Sequence, residues 1–174
     1  MDQAIGLLRG KVRLLPHQAE WKKSAEEVIA KLKNLLADTA VDIQHVGSTA
    51  IASIHAKPII DIAVAVNDLK EDLLEQKGIF CRGKDVSGQM LFVMGNLQTD
   101  IRTHHIHVVE YASTNWKNYI NFRDYLNAFA EKAQEYDRCK QELARQFSDD
   151  RRSYTLGKEK VVQELLKEAQ AFFC

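Results

Sequence analysis

The chain has no excess of charge and no long apolar run, and these two absences exclude several classes of protein. Its 24 lysine and arginine residues balance 24 aspartate and glutamate residues, so net charge does not steer it toward nucleic acid or a membrane. No apolar run approaches the length of a membrane span, and the N-terminus lacks the apolar core of a signal peptide. We therefore expect a cytoplasmic protein that binds neither membrane nor nucleic acid, while a local anion site stays open.

Cysteine is also scarce, and its three positions form no metal-binding or redox pattern. Cys81, Cys139 and Cys174 are neither paired as CxxC nor spaced as metal ligands. We expect reduced thiols, as in a cytosolic protein. The 174 residues are 45% hydrophobic and 28% charged and show no internal repeat, which is typical of one globular domain spanning residues 1–174.

Apolar periodicity predicts alternating strands and helices, followed by a helical C-terminal third. Trp21 begins an apolar stripe at helical spacing that ends at Leu36, and Trp21 and Trp116 are interpreted as core anchors. Further helices are predicted at 49–54, from Asp68 to before Gly78, and at 114–129, 130–147 and 158–172. Strands are predicted at 41–46, after Pro58, and at 79–82, 89–94 and 101–109, and the polar stretch 148–153 is predicted to be a mobile loop. This order predicts an α+β fold with a small mixed β-sheet covered by helices.

The segment HVGSTAIASIHAKPIIDIAVAV (residues 45–66) is the most informative stretch of the chain. Gly47 would let the backbone approach a ligand closely, and Ser48 and Thr49 would cap a following helix, whose free N–H groups can bind phosphate. Asp61 follows on a strand, where a carboxylate can hold a hard cation against that phosphate. The pattern indicates nucleotide chemistry. The alternative for Asp61 is a buried carboxylate that caps a nearby turn.

Alternation along this strand predicts that Asp61 shares its face with Ile59, Ala63 and Ala65, while residues 60, 62, 64 and 66 occupy the other face. Lys57 comes just before the strand. It could contact a phosphate or be an ordinary solvated lysine.

Three histidines lie together on the last predicted strand. His105 and His107 would project from one face and His104 from the other. Two neutral imidazoles at this spacing can hold a transition metal, donate to phosphate oxygens or act as a general base. The alternative is a pair of half-buried histidines that are hydrogen-bonded to their neighbours.

Each of the three C-terminal helices carries one basic residue on a face that should be apolar. These residues are Arg123, Lys140 and Lys158. For each of them the stem could pack while the charge reaches water. Three in succession favour a shared cleft for an anion such as a triphosphate. Asp124 is expected to face away from Arg123, and Tyr154 could stack on a base or close the core.

The segment 45–66 resembles the opening signature of the GrpB-like family of the nucleotidyltransferase superfamily, whose members place Gly-Ser, a gap and then Asp on a strand. The resemblance covers nearly the whole chain. It continues in RTHHIHVVE (102–110), in NFRDYLNAF (121–129), and in Tyr136, Lys140, Tyr154 and Lys158. It implies a nucleotidyltransferase-like core, a Mg²⁺ or Mn²⁺ cofactor, and a site role for His105 and His107. The family also occurs fused to dephospho-coenzyme A kinase.

One position departs from the superfamily pattern: Ala63 stands where two-metal enzymes place a second carboxylate. The leading hypothesis is a metal-assisted nucleotidyltransferase or phosphotransferase that acts on a nucleoside triphosphate and an unknown acceptor. In it, Gly47 and Ser48 hold phosphates, Asp61 holds the metal, and His105 or His107 supplies a ligand or a base. Ala63 favours the alternative of a non-catalytic nucleotide- or cofactor-binding regulatory module. A third hypothesis is a single-metal hydrolase built around the two histidines.

Overall fold

The first helix forms because its apolar residues recur every three to four positions, so that one stripe can be buried. In the computed structural model, which describes residues 4–70, 74, 79–83, 86–96 and 98–173, this helix is α1 (Ala19–Leu36). Its stripe of Trp21, Ala25, Val28, Leu32 and Leu36 is buried. Trp21 is inaccessible to solvent, and its indole Nε1 donates to the carbonyl of Ala4 at 2.8 Å.

The described residues form a six-stranded sheet. Its strands are β1 (Leu7–Leu8), β2 (Ala40–Val46), β3 (Ile60–Val66), β4 (Phe80–Gly83), β5 (Gln89–Asn96) and β6 (Ile101–Glu110). The order across the sheet is β2-β3-β6-β5-β4, and β1 pairs with β6 near its start. β3 and β6 run parallel, whereas the other neighbouring strands are antiparallel. The sheet is therefore mixed, and the parallel pair lies near its centre.

The two faces of the central strand β3 pack against different helices. Ile60, Ile62, Val64 and Val66 belong to the large core beneath α1. Ala63 and Ala65 face the other way and pack with Trp116 of α2 (Thr114–Ala128). The small residues on this second face leave room above the sheet next to Asp61.

The C-terminal helices form a second core that reaches the loop between β2 and β3. α3 (Ala130–Gln146) and α4 (Arg151–Phe173) pack with α2 around buried Tyr125, Leu126, Ala133, Tyr136, Leu165 and Ala169. Ile51 and Ile54 from the loop complete this cluster, so the helices cover the end of β3. None of the helices in the described part of the chain is long and apolar enough to cross a membrane.

Much of the predicted layout is confirmed. The mixed sheet, α1, α2 and α3 lie within two residues of their predicted bounds, and both tryptophans are buried. His104 lies on the opposite face of β6 from its two neighbours, where its Nε2 is 3.1 Å from the Ser24 hydroxyl of α1.

Other predictions are wrong. The predicted helix at 49–54 is only a 3₁₀ turn (Ser48–Ala50), because Ile51 and Ile54 are drawn into the helical core instead. α4 begins at Arg151, seven residues before the predicted start, so the 148–153 stretch is not wholly a loop. Asp150 explains the early start, since its carboxylate accepts a hydrogen bond from the Ser153 amide at 3.1 Å and caps the helix. Strand β1 was not predicted. The predicted helix that follows Asp68 lies largely outside the described residues.

Candidate functional site

The parallel pairing of β3 with β6 brings Asp61 and two histidines together. Asp61 lies opposite His105 in the register, and Ala63 lies opposite His107. His107 Nε2 donates to Asp61 Oδ1 at 3.0 Å, and His105 Nδ1 lies 3.4 Å from the same oxygen. One ligand atom from each of the three side chains lies within 4.8 Å of the other two. We call these three residues the Asp–His cluster.

The protonation states of the cluster suit a metal site. Burial alone would raise the pKa of Asp61, but its contacts with His105 and His107 outweigh burial and hold that pKa well below its usual range. Burial lowers the pKa of His105, against the opposing effect of Asp61. The carboxylate is therefore ionised and the imidazole of His105 neutral at pH 7, and these are the forms that bind metal ions.

Each histidine ring of the cluster also has a second nitrogen without a partner. His105 Nε2 and His107 Nδ1 are buried, and neither forms a hydrogen bond within the described part of the chain. A buried polar atom without a partner costs free energy, and these two atoms are the ring nitrogens that do not face Asp61. Two imidazoles and one carboxylate are a common donor set for first-row transition metals. The residues present therefore fit a metal ion.

Gly47 lies against Asp61 so closely that no side chain fits between them. Its backbone has φ +70° and ψ −171°, and an added Cβ would lie 2.6 Å from Asp61 Oδ2 and 2.9 Å from Asp61 Cβ. The sequence predicted that the backbone at Gly47 comes close to a ligand. In the structure it comes close to the side chain of Asp61.

The prediction that residues 48 and 49 begin an α-helix whose first N–H groups bind phosphate is wrong about the helix. Ser48 and Thr49 belong to a three-residue turn rather than to the first turn of an α-helix, and neither side chain caps it. Thr49 is instead buried, and its hydroxyl is hydrogen-bonded to His45 Nε2 at 2.9 Å. Burial lowers the pKa of His45 to about 4. Gly47, Ser48 and Thr49 nevertheless all line the cleft described next.

A cleft of about 250 Å³ opens above the Asp–His cluster between the sheet and the C-terminal helices. Its cationic side chains are Lys57, Lys140, Arg151 and Lys158. Asp61 is the acidic residue among its described lining. The cleft thus combines an excess of positive charge with Asp61 and His105 at its floor, whereas His107 is not among its described lining residues. This excess of positive charge suits an anionic ligand.

Two lysines of the cleft share the ring of Tyr154. The Lys57 ammonium lies 5.3 Å and the Lys158 ammonium 4.7 Å from the ring centroid, and Tyr154 itself is 1% exposed. Burial, reinforced by Lys158, lowers the pKa of Lys57 to about 7. Two cations at one ring repel each other, and an anion between them would remove that repulsion.

Three cations of the cleft form no direct ion pair with the described residues, although the charge of Asp61 opposes the lowering of the pKa that burial causes in two of them, Lys57 and Arg151. None of the described residues accepts a hydrogen bond from, or forms an ion pair with, the charged groups of Lys57, Lys158 or Arg151. We call these three residues the cation triad. Arg151 was not predicted, because the stretch around it was interpreted as a loop. The sequence did contain a signal for this helix start. Asp150 is a residue type that caps helices, and a cap at this position predicts a helix that starts at Arg151.

Lys140 lines the same cleft but is already paired. Its ammonium donates to the carbonyl of His55 and lies 3.7 Å from Asp137 Oδ1. Asp137 also accepts from the His55 amide at 2.7 Å and from Gln141 at 2.8 Å. Burial lowers the pKa of Lys140 to about 7, against the opposing effect of Asp137. Lys140 therefore ties α3 to the loop that carries Lys57.

Arg123 does not reach the cleft. Its Nη1 donates to Gln44 Oε1 and to the carbonyl of His45, each at 2.9 Å, and its Nε donates to Asp124 at 2.7 Å. It lines a separate cavity that also touches Thr49. Arg123 therefore does not line the cleft with Lys140 and Lys158, because its guanidinium is held against β2. The expectation that Asp124 faces away is wrong as well, because the long arginine side chain bends back to it.

The fold and the site together define an α/β protein with an Asp–His cluster at the floor of a cationic cleft. A sequence profile of the family described as GrpB protein matches residues 11–168, and the chain belongs to this family. The resemblance inferred from the sequence is confirmed at the level of the family.

Individual relatives agree with this assignment. The chain is 37% identical to the glutamate-rich protein GrpB of Alkalihalophilus pseudofirmus, over 94% of this chain and 99% of the relative. It is similar to the crystal structure of the conserved protein GrpB from Enterococcus faecalis, with a TM-score of 0.83 and 29% identity over 92% of this chain and 99% of that one. A shorter segment is similar to a dephospho-CoA kinase of Mycolicibacterium paratuberculosis, with 36% identity over 36% of this chain and 16% of the kinase. The predicted link to that kinase is thus supported for a segment.

Proposed function

We propose that this protein is a metal-assisted transferase of the nucleotidyl- or phosphoryl-transfer type that acts on a nucleoside triphosphate. The observation that carries the proposal is that Asp61 and His105 of the Asp–His cluster line the same cleft as three cations that form no direct ion pair with the described residues. Phosphate chains are recognised by this combination of a metal ion and positively charged side chains. The Gly-Ser turn and the strand aspartate support a place in the nucleotidyltransferase superfamily.

Asp61, His105 and His107 would hold the metal ion. Mg²⁺ and Mn²⁺ are the ions expected from the sequence. Magnesium prefers oxygen ligands and retains several waters, whereas imidazoles suit transition metals. The donor set therefore favours Mn²⁺ of these two. A bound divalent ion would supply positive charge against phosphate oxygens.

The cation triad would bind and orient the phosphates. Lys57 and Lys158 approach Tyr154 from the cleft, and Arg151 lines the same wall. Charge-assisted hydrogen bonds from such groups are stronger than neutral ones and weaken steeply with misplacement. The cations would also stabilise the negative charge that develops on the leaving phosphate.

Triphosphate binding tests the proposal directly. We expect isothermal titration calorimetry to show binding of ATP, GTP, CTP or UTP that is tighter with Mn²⁺ than without it. Lys158→Ala should weaken that binding about tenfold or more, because it removes a charge-assisted contact. Lys160→Ala is the matched control. Lys160 is an exposed lysine on the same helix, and its loss should change affinity less than about twofold. Absence of binding for all four triphosphates would contradict the proposal.

Metal binding is tested on the histidines. We expect metal-depleted protein to bind Mn²⁺, and the His105→Ala, His107→Ala double variant to lose that binding. His104→Ala is the control, since His104 lies on the opposite face of the same strand and contacts Ser24. Equal Mn²⁺ affinity in the double variant and the control would show that the cluster is not the metal site.

A second candidate function is nucleotide binding without turnover. The observation that favours it is Ala63, because the face of β3 that carries Asp61 offers no second carboxylate to bridge two metal ions. The two functions separate in a long incubation with a labelled triphosphate and Mn²⁺. Slow release of pyrophosphate or phosphate, with water as the acceptor, that disappears in Asp61→Ala supports the transferase. Binding with no product in either protein supports the module.

A further inference from the structure

A second depression lies along the first turns of α4. It has a volume of about 440 Å³ and is lined by Arg9, Gly10, Arg151, Arg152, Thr155 and Leu156. Arg151 and Thr155 also line the cleft above the Asp–His cluster. The two spaces therefore have two lining residues of α4 in common.

The depression is positively charged. Three of its six lining residues are arginines, and no acidic side chain lines it among the described residues. Two carboxylates lie near the depression without lining it, and one of them pairs with Arg9. Asp100 lies 3.9 Å from Arg9 Nη1 in an exposed pair, and Asp150 caps Ser153 at the start of α4. An exposed ion pair of this length contributes little and is easily exchanged for a ligand.

The depression also offers open space and an apolar surface. Leu156 is 58% exposed and offers an apolar surface at the edge of the depression. Gly10 has φ +89°, and an added Cβ there would meet no atom within 4 Å. A molecule with an apolar portion could therefore lie against Leu156 and over Gly10 without displacing protein atoms.

The walls of the depression are held together by hydrogen bonds. The Gly10 carbonyl accepts from the Arg151 amide at 3.1 Å, and the Val12 amide donates to the Ser148 carbonyl at 2.7 Å. The segment that carries Arg9 is thus fixed to the start of α4. A preformed wall lowers the entropy lost on binding.

We propose that this depression is the acceptor subsite of the proposed transferase, and that the acceptor is a small molecule with a reacting hydroxyl, a phosphate or carboxylate group and an apolar portion. Arg9 and Arg152 bind the anionic group, Leu156 contacts the apolar portion, and Arg151 lies between acceptor and triphosphate. In the transfer, an acceptor hydroxyl oxygen forms a bond to phosphorus while the bond from that phosphorus to the leaving phosphate breaks. The leaving phosphate takes the electron pair, and the hydroxyl proton passes to water. The assignment of the depression to an acceptor rests on the proposed function, whereas its ability to bind an anion can be tested alone.

Calorimetry with hexyl phosphate, which has one phosphate and an apolar chain, tests the subsite. We expect hexyl phosphate to bind the wild-type protein both without nucleotide and after saturation with ATP and Mn²⁺. Arg152→Ala and Arg9→Ala should each weaken it about tenfold and leave ATP affinity within about twofold. Lys158→Ala should weaken ATP binding about tenfold and leave the affinity for hexyl phosphate within about twofold. Lys160→Ala should leave the affinity for both ligands unchanged. A thermal melt shows whether each variant is folded.

The outcomes separate this inference from the proposed function. Binding of hexyl phosphate that depends on Arg152, in a protein that binds no triphosphate, would support the subsite and contradict the transferase. Binding of ATP with no binding of hexyl phosphate would overturn the subsite alone. Displacement of ATP by hexyl phosphate would also overturn it, because one shared site would then explain both ligands.

Discussion

Replacing Gly47 with alanine perturbs the cluster without touching a charged residue. The added Cβ would lie 2.6 Å from Asp61 Oδ2 and 2.9 Å from Asp61 Cβ. Contacts this short do not persist, so Asp61 or the turn must move. The side chain of Asp61 cannot move without losing its contacts with His107 at 3.0 Å and His105 at 3.4 Å. We therefore expect the substitution to act on stability and on metal binding together.

The expected loss has two parts. A side chain at the backbone angles of Gly47, φ +70° and ψ −171°, costs about 1–3 kcal/mol because this region is populated almost only by glycine. Displacing the ionised Asp61 from its imidazole partners costs about 2 kcal/mol more, the typical worth of a charge-assisted hydrogen bond. The free energy of unfolding should fall by about 4 kcal/mol, which a domain of ordinary stability survives.

Gly10→Ala separates the two parts. Gly10 also has a positive φ, +89°, but an added Cβ there meets nothing within 4 Å. It should cost only the backbone strain, about 1–2 kcal/mol. Urea unfolding of both variants at pH 7 gives the difference, and calorimetry with Mn²⁺ gives metal affinity, which should fall only in Gly47→Ala. Equal losses of stability with unchanged Mn²⁺ affinity in both variants would refute the argument from the contact with Asp61.

Three further predictions concern charged groups. Because the pKa of Lys57 is lowered from 10.5 to about 7, this residue is mostly neutral at pH 8, and an anion that restores its charge should cause proton uptake. Calorimetry of triphosphate binding in buffers of different ionisation enthalpy should show that uptake, reduced by up to about one proton in Lys57→Met; equal uptake in both proteins would contradict it. Asp137→Asn should lower the free energy of unfolding by about 3 kcal/mol at pH 7, measured in urea. Burial raises the pKa of Asp137, but hydrogen bonds from His55 and Gln141 outweigh it and keep that pKa low, so the loss should shrink as pH falls through the folded-state value and the wild type also loses the charge; a loss independent of pH would exclude this account. Arg123→Ala should cost about 1–3 kcal/mol in the same assay with triphosphate affinity unchanged, whereas a tenfold weaker affinity would return Arg123 to the site.

The parts of the fold that the sequence predicts well are those set by local patterns. α1 follows from a stripe of apolar residues three and four apart, and β3 from alternation between large and small residues. The turn after Gly47 was harder, because the sequence between Thr49 and Ile54 is compatible with a helix. Its conformation is decided by distant residues of α2, α3 and α4, which draw Ile51 and Ile54 into their core. Tertiary packing overrides local propensity there.

The site shows the same division. Asp61 and the histidine pair could each be singled out from the sequence, but their contact joins residues 46 positions apart. That contact exists only because β3 pairs with β6 in parallel, and pairing of distant strands is not encoded in any local pattern. The two arginines show two different errors. Arg151 was missed because the stretch around it was interpreted as a loop. Arg123 was selected for its charge and its place on α2, but its guanidinium is bound to β2.

Ala63 acquires a different meaning once the register is known. It is the neighbour of His107 across the parallel pair, on the face of β3 that carries Asp61. Because its side chain is a single methyl group, the imidazole of His107 has room to reach across to Asp61 Oδ1 at 3.0 Å. A carboxylate at this position would compete for that space and add a second negative charge. Under the proposed function, the imidazole of His107 on β6 would supply a metal ligand in place of a second carboxylate on β3. We accordingly expect one bound transition-metal ion per chain. A stoichiometry of two in the Mn²⁺ titration would show that this reasoning about Ala63 is mistaken.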